Sequence, residues 1–166
     1  MAVAFAAVAA GCGDGENGNA APQSLPGAAD QILTQSDVDR YPAASPQHAL
    51  LQWWRDVQYA NLTGYFDAFD PSIRQKLQQD SKARAALEYV SGSVRTARPA
   101  IASVRRRGPT ATVYTAIKYR TPIGTRRFVT TSRPQAFVLV QRGGDWLLQN
   151  DSFVQSVLPV RLRRTA

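Results

Sequence analysis

Residues 45–166 read as an α+β fold, with a helical half followed by about four antiparallel strands. Three observations carry this. Apolar residues recur at helical spacing from Ala49 to Val90, and past Arg98 the period falls to two. Gly143-Gly144 then supplies a tight reversal between two strand-like runs.

The first helix starts at Ser45-Pro46, a serine cap followed by proline in the first turn. Ala49, Leu50, Trp53, Trp54, Val57 and Ala60 give it a broad apolar face over about four turns. A second helix covers Leu62 to Phe69, with Leu62, Tyr65, Phe66 and Phe69 on one side. Asp70-Pro71 breaks it, and Pro71 opens a third helix running through Leu77. A fourth spans Ser81 to Val90, where Ala83, Ala86, Leu87 and Val90 keep step, and Ser91-Gly92-Ser93 closes the helical half.

Ile101 to Arg106 reads as the first strand, with a turn at Gly108-Pro109. From Thr110 to Arg120, Ala111, Val113, Thr115, Ile117 and Tyr119 share one face; Thr112, Tyr114, Lys118 and Arg120 take the other. Pro122 to Thr125 makes the next reversal. Arg127 to Arg142 is a long strand bent at Pro134, since proline cannot donate to a ladder. Phe137 to Val140 is apolar on both faces, which places this strand centrally. Trp146 to Val154 is the returning strand.

With Leu50-Leu51-Gln52-Trp53-Trp54 in a long first helix, a short helix ending in Phe-Asp-Pro at Asn61 to Pro71, and the hairpin Val138 to Leu148, the domain resembles the nuclear-transport-factor-2-like (cystatin-like) superfamily. The likeness covers residues 45 to about 157. It implies a cone: a curved sheet wrapped on the helices around a cavity. Trp53, Trp54, Tyr119, Phe128, Phe137, Trp146 and Phe153 either line that cavity or fill the core, as aromatic side chains commonly do. Two functions follow as alternatives. The cavity holds a hydrophobic small molecule, or it houses a base of the ketosteroid isomerase or SnoaL-like cyclase kind. Family members also dimerise through the sheet, so the open sheet face is a third candidate, as an interaction surface for a partner protein.

The catalytic search is thin. A general base needs a raised pKa and a dry wall. His48 is the only histidine and falls in a solvated first helical turn; Asp56, Asp67 and Asp70 suit surface charges or caps. Asp151 is the best remaining candidate, on the last strand with Gln149 and Phe153 sharing its face. Tyr59 and Tyr114 carry hydroxyls, yet nothing matches the isomerase pairing of Tyr with Asp. Walker-type phosphate loops, His-Glu-x-x-His and nucleophile elbows are missing from the sequence. One Cys and one His build no zinc site, so neither metal nor cofactor is expected.

The N-terminus speaks to location. Cys12 follows Ala9-Ala10-Gly11 at the end of the apolar run Ala2 to Ala10, which resembles the lipobox of bacterial lipoproteins. Residues 1–11 then form a signal peptide, and Cys12 carries a diacylglycerol anchor. No Lys or Arg precedes the apolar run, so the segment reads as truncated, with its true start upstream. An exported chain with one unpaired thiol needs a reason for it, and lipidation is that reason. The protein is expected outside the cytoplasm, anchored to the cell membrane. Residues 13–44, rich in Gly, Ala, Asn, Pro, Gln and Ser, read as a linker with a reach of about 30 Å. Ile32, Leu33 and Val38 suit at most a short turn.

Charge divides along the chain. Five of the 12 acidic residues precede residue 45, leaving 45–166 with 19 basic residues, seven acidic ones and a net charge of +12. The arginines form three groups: Arg105-Arg106-Arg107, Arg126-Arg127 with Arg133, and Arg161-Arg163-Arg164 in a basic tail. Because strand neighbours alternate, Arg105 and Arg107 face one way and Arg106 the other. Such charges keep sheet edges from pairing, and they equally suit an anionic lipid or wall polymer outside the membrane. Nucleic acid is not an expected partner of an exported chain. The combined expectation is a non-catalytic, membrane-anchored envelope protein that binds a hydrophobic molecule or a partner protein, or forms a homodimer.

Overall fold

A computed structural model describes residues 32–95, 97–123 and 127–163, with backbone alone for residues 120–123, 127 and 128. Its architecture is the α+β class expected from the sequence. Among the described residues five helices precede the sheet: α1 (Gln35–Val38), α2 (Pro46–Gln58), α3 (Leu62–Asp67), α4 (Pro71–Gln79) and α5 (Ala83–Val94). The strands are β1 (Ala97–Arg107), β2 (Thr110–Ile123), β3 (Arg127–Arg142) and β4 (Asp145–Leu148), and α6 (Ser152–Val157) follows them. The sheet is an antiparallel meander in the order β1-β2-β3-β4.

Side-chain caps explain the starts of α2, α3 and α4. The Ser45 hydroxyl accepts from the His48 amide at 3.2 Å with Pro46 in the first turn, Asn61 caps α3, and Asp70 caps α4 ahead of Pro71. At the end of α2 the Ala60 amide returns to the Val57 carbonyl and the Asn61 amide to Asp56, with Ala60 at φ 53°. That is a Schellman closure with alanine where glycine is usual. It turns the chain so tightly that Gly64 lies against the Asp56 carboxylate, where a Cβ would fall 2.5 Å from the Asp56 Cγ.

The core lies between the helices and one face of the sheet. Leu50, Trp53, Trp54 and Val57 of α2 pack with Leu87 and Val90 of α5 on Ala111, Val113, Ile117, Phe137, Leu139 and Leu148. Gly143 and Gly144, both at positive φ, make the β3–β4 turn that L-residues resist. The segment after α3 covers the edge of β4: Leu148 donates to the Ala68 carbonyl at 2.8 Å, and Asp70 donates to the Leu148 carbonyl at 2.9 Å.

Several expectations need correction. The fourth expected helix, α5, runs through Ser91-Gly92-Ser93 to Val94, and β1 starts at Ala97 rather than Ile101. Packing begins at Leu33 rather than Ser45. Leu33 and Val38 are buried in the core, Thr34 and Asp37 form a capping box, and Asp37 pairs with Arg98 at 2.6 Å. The final strand stops at Leu148, and residues 152–157 are helical, because Asn150 and Asp151 turn the chain and Phe153, Val154 and Leu158 then point back at the core. Asp56 is no surface charge: it is buried and accepts from Gln52 and Asn61. Cys12 and the rest of residues 1–31, with Arg126 and Arg164, lie outside the described residues.

Candidate functional site

The helix-facing interior is where the family resemblance implies a cavity, and aromatic rings occupy it. Trp53 and Trp54 are each 1% exposed, so neither stands at a cavity mouth. Trp53 meets Phe137 at 5.9 Å and Phe69 at 6.0 Å between centroids; Trp54 meets Phe153 at 5.1 Å, and Phe137 meets Phe153 at 5.5 Å. Edge-on and tilted contacts at these separations are those of a close-packed core. Phe153 reaches the group from α6 instead of from a strand. Trp146 donates from Nε1 to the Ala44 carbonyl at 3.1 Å, and Tyr119 is half-buried beneath the Arg133 guanidinium at 5.6 Å. Burial raises the Tyr119 phenol above its ordinary pKa, with Arg133 working against it. Phe128 belongs to β3, its side chain outside the description.

The carboxylates are engaged. Asp151 sits at the N-cap position of α6, 8% exposed, and accepts from the Gln155 amide at 2.8 Å. Hydrogen bonds from Ser72 and the Arg142 guanidinium hold the Asp70 carboxyl below its usual range against the push of burial. Asp67 pairs with Arg74 at 3.2 Å, and His48 Nε2 lies 3.7 Å from Asp39 at the surface. Among the described residues no three His, Cys, Asp or Glu side chains gather as a metal site would require.

The other face of the sheet carries the more suggestive arrangement. An unbroken alternation from Ile101, which faces the helices opposite Thr115, would turn Arg105 and Arg107 inward. The register instead shifts between Ile101 and Ser103, so Ala102 is an extra residue. A one-residue slip exchanges the two faces. Arg106 therefore takes the helix side, its guanidinium 5.2 Å over the Trp146 ring. Arg105 and Arg107 take the outer side, directly across from Thr112 and Thr110.

Together with Tyr114 these four residues line a hollow of about 220 Å3. Beside it on β3 are Val138 and Val140, the register partners of Thr112 and Thr110; Val140 is only 8% exposed although it lies outside the main core. Among the described residues neither Arg105 nor Arg107 has an acidic partner, whereas Arg74, Arg98 and Arg142 each have one. The reason is compositional: residues 89–144 contain eleven Lys and Arg and no Asp or Glu. That gap in the acidic residues is visible in the sequence and marks β1, β2 and β3 as a one-signed surface. Thr110, Thr112 and Tyr114 are legible only as the outward half of an alternating strand. Arg127 is in β3, with its side chain outside the description.

No known protein family matches the chain, and no curated protein does. Solved structures resemble it in part. A SEC-C motif containing protein from Rhodopseudomonas palustris is 14% identical, covers 68% of this chain and 80% of its own, and superposes with a TM-score of 0.48. A five-substitution form of a protein named Rd1NTF2_05 is 12% identical over 70% of this chain and 96% of its own, with a TM-score of 0.44. A protein of unknown function from Mycobacterium tuberculosis is 17% identical over 61% of this chain and 64% of its own, with a TM-score of 0.41. Likeness at these levels assigns no family, and the α+β class stands on the chain's own order of helices and strands.

Proposed function

We propose that this protein is an envelope lipoprotein, held at the membrane through a lipidated Cys12, whose domain is a non-catalytic binding module. Its working surface is the outer face of the sheet, and its partner is an anionic envelope surface. The observation that carries the reading is the acid-free stretch 89–144, which builds three long strands and leaves Arg105 and Arg107, among the described residues, with no acidic partner as they line a hollow. Unpaired surface cations on one face create a field that attracts and orients an anionic partner. The interior supports this choice over a buried ligand or a cavity enzyme, because rings in mutual contact occupy it and Asp151 is held by Gln155.

Two measurements test the reading. Cell fractionation of Cys12→Ala should move the protein from the membrane to the soluble fraction; retention in the membrane sinks the anchor. Full-length Cys12→Ala protein should co-sediment with vesicles containing phosphatidylglycerol and not with phosphatidylcholine alone. That binding should weaken as salt shortens the Debye length from about 10 Å at 0.1 M toward 3 Å at 1 M. Equal binding to both vesicle types, or to neither, defeats the surface assignment.

A further inference from the structure

We infer that the hollow formed by Arg105, Arg107, Thr110, Thr112 and Tyr114 binds a single phosphoryl group of a phosphate ester, an inference that rests on the outer sheet face being the working surface. The register arranges the donors. Arg105 stands opposite Thr112 and Arg107 opposite Thr110, so the two arginines of β1 face the hydroxyl-bearing residues of β2 across the hollow, with Tyr114 next along β2. Every one of these side chains can donate a hydrogen bond, and the lining contains no carboxylate to compete for the guanidinium groups. Planar guanidinium forks match the tetrahedral oxygens of phosphate, two parallel bonds at a time.

Size and surroundings narrow the ligand. A volume of about 220 Å3 falls below the roughly 300–1,000 Å3 of clefts that enclose drug-sized ligands. It suits one anionic group and the first carbons of its ester. Val138 and Val140, adjoining the threonines on β3, offer those carbons an apolar flank. Edge protection alone also calls for arginines on an outer strand. It calls for a bulge there as well, but not for a row of hydroxyls directly opposite those arginines, which the Ala102 bulge brings about by turning Arg105 and Arg107 outward and Arg106 to the Trp146 ring.

The ester can belong to a lipid headgroup or to a soluble metabolite, and the test separates them. Full-length Cys12→Ala protein is titrated with inorganic phosphate and with glycerol phosphate at constant ionic strength, reading backbone amides and arginine Nε–H signals by NMR. The expected result is saturable shifts confined to residues 105, 107, 110, 112 and 114. The R105Q/R107Q variant should lose at least tenfold in affinity, and T110V/T112V, which keeps every charge, about three- to tenfold. Retained native amide spectra show that both variants fold. Competition by phosphatidylglycerol vesicles assigns the site to a lipid headgroup, and its absence assigns a soluble ester; either supports the site.

Failure has two distinguishable forms. If vesicles bind but the soluble esters give only linear, dispersed shifts and T110V/T112V binds vesicles like the parent, the hollow is no site and the outer face acts by charge alone. If neither esters nor anionic vesicles bind, the inference and the functional reading fall together.

Discussion

At the scale of single residues, the chain from Asp56 to Gly64 is the most tightly constrained. Ala60 adopts the left-handed region at φ 53°, which costs an L-residue about 1–2 kcal/mol. Glycine removes that cost while adding about 0.4–1 kcal/mol of unfolded-state freedom. Ala60→Gly should therefore stabilise the domain by roughly 0.5–1 kcal/mol in urea unfolding. Four residues on, the sign reverses. A Cβ at Gly64 meets the buried Asp56 carboxylate, which Gln52 and Asn61 already hold, so Gly64→Ala should destabilise by about 1–3 kcal/mol. The tryptophans separate in the same way. Trp54 donates to the Ala97 carbonyl at 3.2 Å, whereas the buried Trp53 indole N–H has no hydrogen-bond partner among the described residues. Replacement of Trp54 by Phe should therefore cost about 1 kcal/mol more than the same change at Trp53. The difference stays near a single net bond, because Gln58 also donates to that carbonyl and leaves it satisfied.

At the scale of elements, α1 was the least legible part of the chain and α6 the most misleading. A four-residue helix contains too little periodicity to read, and the interactions that hold α1 are distant in sequence. The Leu33 amide donates to the Gln58 side chain at 2.9 Å, and Asp37 reaches Arg98 across 61 residues. Trp146 to Val154 reads as one returning strand, yet the apolar set Phe153, Val154, Val157 and Leu158 fits a helical face, and core contact decides for the helix. α2 and α4 were legible because cap and period agree there, and β2 because its alternation is regular. The bulge at Ala102 was not, since one extra residue leaves the composition of β1 unchanged.

The Asp37 pair makes a testable latch. Burial alone would raise the Asp37 carboxyl, but hydrogen bonds from the Thr34 amide and hydroxyl and from Arg98 outweigh it and hold the pKa below its ordinary value. A lowered carboxyl contributes stability that is complete above the unfolded value of about 3.9 and is lost as pH falls through the folded one. Asp37→Asn imitates the acid state at neutral pH and removes the negative charge beside Arg98, whose side chain is 11% exposed. Native-state hydrogen exchange should show Leu33–Val38 opening more easily by about 1–3 kcal/mol, with α2 unchanged. Uniform loss of protection across both helices would make α1 part of the main cooperative unit instead.

At the scale of the whole molecule, segregated charge sets stability against function. Each acidic residue among the described ones belongs to the helical layer, its connections or β4, while β1, β2 and β3 have none. Arg105 and Arg107, two positions apart on one face of β1, stand about 7 Å from each other along the strand. Their repulsion is about 0.6 kcal/mol in water. The part-buried Asp37–Arg98 pair is screened less than these exposed cations, so salt relieves more repulsion than it removes attraction. The melting temperature should thus rise by a few degrees between low and physiological ionic strength. R105Q/R107Q should melt about 2–3 °C higher than the parent at low salt and show a shallower salt response, the scale expected for a domain of this size. A parent protein whose melting temperature falls with added chloride would place the balance with the ion pairs, and the basic face would then carry no stability cost for a partner's negative charge to relieve.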